Sequence, residues 1–225
     1  MKKSAPAIAF GAMMLIAALT PANATDLHSL VPALRDGGHV IVFRHVATDE
    51  SQKDIYPFKF DDMTAQRQLS EPGRETARAL GGALVKLGIP VGEVYTSRLN
   101  RAVETGKLFA GKDVVALDDL TDSGAGNPSA MAGPNGGGSP KLGRALRELT
   151  NVAPGAGLNT IIVTHKTNVV DAFGKDWRNV REGEASGFKP NGSGPAVLIA
   201  RIDAKDWISR AGQVQSVTQG SGAGQ

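Results

Sequence analysis

Cysteine is absent from the 225-residue chain. Without it there is no disulfide, no thiol nucleophile, no zinc–thiolate centre and no acylated lipoprotein cysteine. Aromatic residues are scarce, at 5%. The core must therefore be built mainly from aliphatic side chains, which a chain of this length can bury. There is no basic helix and no Lys/Arg block, which removes the electrostatic footprint of a nucleic-acid or membrane-surface binder. No GxxxxGK[ST] loop appears, so nothing points to a nucleotide-phosphate cradle. No His/Asp/Glu cluster with metal-ligand spacing appears either, and no cofactor is expected.

The N-terminus reads as a secretory signal. Lys2 and Lys3 precede an almost wholly apolar stretch at residues 5–20, and Ala22-Asn23-Ala24 has the small-x-small form of a cleavage site. The apolar run falls short of the ~20 residues that span a bilayer and contains Pro6, so a cleaved signal is expected rather than an anchor. Losing two lysines takes the basic count from 25 to 23 against 22 acidic residues, leaving the exported chain close to neutral. The expected organisation is a signal peptide over 1–24, one domain over 25–210, and a polar Gly/Ser/Gln-rich disordered tail over 211–225. The expected location is periplasmic or secreted, with no stable membrane insertion after cleavage and no nucleic-acid partner.

Between these ends, strands and helices alternate. Val40-Ile41-Val42-Phe43 is a continuous apolar run of the kind buried on both faces of a parallel sheet, and Arg44-His45 ends it. Ser70 is placed to cap a helix bearing Ala77, Leu80, Leu84 and Leu87 on one face, with Gly88 past its end. The interior pair Gly81-Gly82 predicts a close helix-to-sheet approach. A strand is expected over 93–96, then a helix capped by Ser97, a short strand over 113–117, and a helix opened by Ser139-Pro140. Ile161-Ile162-Val163 repeats the first strand's grammar, again with a histidine, His165, at its carboxyl end. Residues 184–188 and 196–202 read as a closing hairpin around Pro190-Asn191-Gly192. The alternation predicts a three-layer α/β/α sandwich with a mainly parallel sheet. Two stretches lack a period: residues 46–69, which read as a long ordered loop folded over the sheet, and the Gly/Pro/Asn-rich 118–139, which reads as a lid or a flexible insertion.

Ligands of open α/β sheets bind outside the carboxyl ends of the strands. Arg44-His45 is positioned either for that chemistry or as a plain strand terminus. Arg101 lies one turn into a helix that follows a strand, and helical side chains lean back toward the N-terminus, so its guanidinium can reach the same zone. Guanidinium, imidazole and a helix N-terminus together suit a phosphate dianion. Arg101 could equally form an exposed pair with Glu104.

Taken in order, Phe43-Arg44-His45, Leu69-Ser70-Glu71-Pro72-Gly73-Arg74, the segment from Thr96-Ser97-Arg98 through Arg101 to Thr105, and Val163-Thr164-His165 resemble the histidine phosphatase superfamily, also called phosphoglycerate-mutase-like. The resemblance implies that fold and a covalent mechanism. His45 would attack phosphorus, and Arg44, Arg101 and His165 would hold the phosphoryl oxygens. Ser97, Asp49 and Lys166 are candidate substrate contacts. Two positions depart from the pattern: Val46 replaces a common glycine, and Lys166 stands where the acid-phosphatase branch has a proton-donating aspartate. Lys166 is then an added phosphate contact or a solvated helix-start lysine. Leu120-Thr121-Asp122 matches the spacing of the other branch's acid with a shorter carboxylate, which makes Asp122 the first choice for the general acid, with Asp49 and Glu184 in reserve. The resemblance implies an exported phosphomonoesterase acting on a phosphorylated small molecule or envelope glycan. The alternative is a phosphoryl-binding protein that lacks an effective acid.

Overall fold

The computed structural model describes residues 27–121 and 139–220. The signal-peptide segment, Asp122 and most of the Gly-rich stretch lie outside the described residues. The described elements, in order, are α1 (Leu27–Arg35), β1 (Val40–Arg44), α2 (Glu71–Lys86), β2 (Val91–Ser97), α3 (Asn100–Ala110), β3 (Val115–Leu117), α4 (Pro140–Thr150), β4 (Asn159–Thr164), α5 (Lys166–Phe173), β5 (Ala185–Lys189), β6 (Val197–Ile202) and α6 (Ala204–Gly220).

The six strands form one sheet in the order β3-β2-β4-β1-β5-β6. The β3, β2, β4 and β1 strands run parallel, and β5 and β6 close the sheet antiparallel as the expected hairpin. β1 sits centrally because every residue of its apolar run is buried. Ile41 and Phe43 point into a core layer shared with α1, α2, α3 and α6, while Val40 and Val42 point into a second layer with α4 and α5. β4 splits in the same way, Ile161 and Val163 to one side and Ile162 to the other. The sandwich and its mainly parallel sheet are as the alternation predicts.

Several local expectations are corrected. Ser97 does not cap α3, which starts three residues later with Leu99 at its N-cap and no side-chain cap bond. Gly81 permits a close approach to α3 rather than to the sheet: a Cβ there would lie 2.7 Å from the Phe109 carbonyl oxygen. Gly82 faces open space. The chain beyond Ala211 continues the last helix to Gly220 instead of starting a disordered tail at 211. Trp207, Ala211 and Val214 follow one another at helical spacing, the first two buried, and dock the helix on the α1/α2 side. The polar composition of the stretch hid that stripe.

Candidate active site

The β1 and β4 strands are adjacent and in register, Arg44 opposite Thr164, so the residues that follow them, His45 and His165, emerge side by side at the carboxyl edge of the sheet. Their ring centroids are 5.2 Å apart. Both imidazoles are almost fully buried, at 3% and 2% exposure. Burial is the main cause that drives each pKa well below the ordinary imidazole value. For His45 the charge of His165 and then Arg101 adds to it; for His165 the charges of Arg101, Arg44 and Arg67 do. Both rings are therefore neutral at physiological pH. His45 Nδ1 donates to the Val46 carbonyl oxygen at 2.8 Å. A carbonyl only accepts, so Nδ1 carries the proton and Nε2 keeps its lone pair. His165 Nε2 lies 2.7 Å from Ser97 Oγ, which itself accepts the Leu99 N–H. Ser97 thus serves the second histidine rather than the helix.

The loop leaving His45 is fixed by the start of α2. Ser70 caps that helix by accepting the Gly73 N–H, and the Ser70 N–H reaches the Ala47 carbonyl at 3.1 Å. Gly73 packs on the same carbonyl so closely that a Cβ would overlap it. This is why the helix opens Ser-Glu-Pro-Gly. Val46 is buried in the core.

Arg44 is gripped from one short segment after α5: Nη1 donates to the Val180 carbonyl at 3.0 Å and Nη2 pairs with Glu182 at 2.9 Å. Gly183, with φ +71°, turns that segment back to bond the Arg44 and His45 carbonyls. Arg101 is 1% exposed and pairs through Nη1 with Asp54 at 2.9 and 3.0 Å. It does not form the exposed pair with Glu104, which instead binds Arg74 at 2.6 Å.

Sequence reasoning missed two residues of this cluster, Asp54 and Arg67. Both lie in the aperiodic stretch 46–69, where no pattern singles them out. That stretch is an ordered excursion whose limbs pair through the Thr48–Leu69 bridge, Asp49 N–H to the Gln68 carbonyl, and Ile55 N–H to the Ala65 carbonyl. Arg67 lies close enough for its charge to depress the pKa of both Arg44 and His165. Arg44 Nε, Arg67 Nε and His165 Nδ1 are buried nitrogens with no hydrogen-bond partner among the described residues. The two guanidinium nitrogens are donors that an oxyanion would satisfy.

Asp49 and Glu184 are committed elsewhere. The Asp49 carboxylate accepts from Ser51 N–H and Oγ, which hold its pKa below the usual range, and it stays ionised. Glu184 binds Arg201 at 2.6 Å and the Arg181 N–H, so its carboxylate is committed away from the histidines. Lys166 opens α5, half-buried, directly after His165. Asp122 follows Thr121, whose carbonyl accepts from buried Asn168 and whose hydroxyl accepts the Arg98 N–H. Thr121 itself thus stands at the same carboxyl edge. Among the described residues, no three His, Asp or Glu side chains gather as a metal site, and no helix is long and apolar enough to cross a membrane.

Residues 40–132 match the family model of the histidine phosphatase superfamily, branch 1. The chain has the histidine phosphatase fold. Solved structures support this at low identity. The protein histidine phosphatase SixA complexed with tungstate superposes with a TM-score of 0.52 at 16% identity, over 75% of this chain and 98% of that one. A mycobacterial glucosyl-3-phosphoglycerate phosphatase complexed with VO3 gives 0.50 at 17%, over 73% and 98%. A phosphoserine phosphatase from Entamoeba histolytica in complex with 3-phosphoglyceric acid gives 0.50 at 15%, over 72% and 95%. No curated protein matches the sequence. In this histidine phosphatase fold the matched segment contains His45, Arg101 and the acid candidate Asp122, whereas His165 and the segment gripping Arg44 lie beyond it.

Proposed function

We propose that this protein is an exported phosphatase that hydrolyses phosphomonoesters of a small molecule or envelope glycan through a phosphohistidine on His45. The observation that carries the reading is the state of His45: neutral, its proton held on Nδ1 by Val46, its Nε2 lone pair beside His165 and a set of arginines. Nε2 attacks phosphorus as the ester oxygen leaves with a proton from the general acid, for which Asp122 is the candidate. The same carboxylate then takes a proton from water, which attacks the phosphohistidine and releases phosphate. Arg44, Arg101 and His165 balance the charge that develops on the three equatorial oxygens. Arg67 adds a further cation, and Ser97 orients His165 through its 2.7 Å bond. The oxyanions and the phospho-compound named with the structural neighbours support a phosphoryl ligand. Export rests on the signal-like N-terminal sequence.

The test is turnover of p-nitrophenyl phosphate, whose leaving group needs little protonation, with acid-quench detection of a labile phosphoenzyme. Wild type should turn over and label; His45→Ala should do neither. Turnover that survives the substitution would remove His45 as nucleophile. Asp122→Asn should slow an alkyl phosphate far more than the nitrophenyl ester. The second reading, a phosphoryl-binding protein without turnover, is favoured by one observation: Asp49 and Glu184 are both committed elsewhere, leaving Asp122 alone as donor. It predicts oxyanion binding in the wild type with no turnover of either ester.

A further inference from the structure

The Asp54–Arg101 pair is the most deeply buried ion pair at the site, with side-chain exposures of 9% and 1%. A buried pair is weak evidence for stability, because desolvating two charges offsets most of their attraction. What such a pair does well is fix a direction. Both Asp54 oxygens fall on one nitrogen, Arg101 Nη1, at 2.9 and 3.0 Å. The Arg101 charge also contributes to the lowered pKa of both His45 and His165. The guanidinium is thus held by a carboxylate on the 46–69 excursion, and its charge acts on the imidazole pair.

Asp54 is itself held. Its Oδ1 accepts the Arg67 N–H at 2.9 Å, joining the two limbs of the excursion, and Ile55 beside it bonds Ala65. The same excursion fixes the backbone end of Arg101. Helix α3 has no cap of its own, and Gln66, 2% exposed, supplies one by accepting the Asn100 N–H at 2.9 Å. The Gln66 amide is in turn anchored on the Lys59 and Phe60 carbonyls, and Gln68 takes the Asn100 side chain. Arg101 is therefore constrained at its Cα by Gln66 and Gln68 and at its head by Asp54.

We propose that Asp54 is the positioning residue of the phosphoryl clamp, acting through Arg101 and not through contact with substrate. The 46–69 excursion is then a structural part of the oxyanion site. This inference rests on the phosphoryl-binding reading of the site, and its test uses binding so that it does not depend on turnover.

The experiment is a double-substitution cycle read by calorimetric binding of orthovanadate to the full chain, with the melting temperature of each variant recorded. Asp54→Ala should weaken vanadate binding by about 10- to 100-fold, the scale of a displaced catalytic contact. Asp54→Asn, which keeps an acceptor for the Arg67 N–H, should fall between wild type and Asp54→Ala. In an Arg101→Gln background, Asp54→Ala should change binding by less than about twofold, because the residue it acts through is already gone. A merely structural role would lower the melting temperature and weaken binding equally in both backgrounds. That result overturns the proposal, as does unchanged binding in Asp54→Ala. Tighter binding in Asp54→Asn overturns it too, because it would make Asp54 a competitor for Arg101. Wild type that binds no oxyanion at all would remove the phosphoryl-binding reading and this inference with it.

Discussion

The two buried histidines make stability depend on pH with a sign that can be worked out. Each is held neutral in the folded chain, its pKa pushed well below the ordinary 6.5, chiefly by burial. An unfolded histidine titrates near 6.5. Below that pH the unfolded chain binds protons that the folded chain refuses, so stability is full above it and is lost as pH falls. Taking the unfolded pKa as about 6.5, lowering the pH from about 7 to about 5 costs up to roughly 2 kcal/mol per histidine, roughly 4 for both, if neither protonates while folded. Against a total of about 5–15 kcal/mol this is a large share.

The assay is urea unfolding at the two pH values, followed by the fluorescence of Trp177 and Trp207, both buried. The comparison is with His45→Gln/His165→Gln. That variant keeps every carboxylate and His39, so any loss it shows measures the remaining groups. The expected outcome is a steeper fall in wild type, by several kcal/mol over the interval. Equal losses in the two proteins would refute the reasoning, since the folded imidazoles would then be taking up the same protons as the unfolded ones.

Two packing predictions follow from the same site. Gly73→Ala should destabilise by about 2 kcal/mol and lower kcat/KM on p-nitrophenyl phosphate, because the new Cβ overlaps the Ala47 carbonyl, a backbone group that cannot step aside without moving the loop after His45. A urea midpoint and a rate check both. Gln66→Ala should cost at least about 1 kcal/mol by uncapping α3, and it should weaken oxyanion binding, since Arg101 lies in the first turn it frees.

What was legible in the sequence was whatever repeats with a period or sits at a strand end. The β1 and β4 runs announce themselves because both faces are buried, and the residue after each run has to stand at the ligand edge; this is how Arg44, His45 and His165 are found from sequence. Arg101 follows from helix geometry. Asp54, Arg67 and Gln66 could not be found that way. They belong to an excursion without a period, and their roles exist only because its two limbs pair and lie against the start of α3. Ser97 shows a different failure: a serine two or three residues ahead of a helix reads as a cap, but here the chain extends past it and the hydroxyl turns to His165. A residue's neighbours in space decide its role, and periodicity reports only the neighbours within one element.

The charges of the site lead to one further prediction. Arg44, Arg67 and Arg101 face Asp54 and Glu182, while Glu184 is bound to Arg201. Among the described residues the cluster holds a surplus of positive charge, and that surplus, added to burial, keeps His165 neutral. A dianion entering the site reverses the balance, removing the electrostatic part of the depression, and raises the His165 pKa. Binding should therefore take up protons from solution. Tungstate is a suitable probe because it carries no proton of its own near neutral pH. Calorimetric titrations in buffers of different ionisation enthalpy should show heats that vary with buffer, with uptake growing as the pH is lowered from about 7 to about 6. His165→Gln should lose most of that uptake while retaining some affinity through the arginines. Heats independent of buffer in the wild type would mean that the anion does not act on the histidines, and the charge argument for the clamp would fail at its central step.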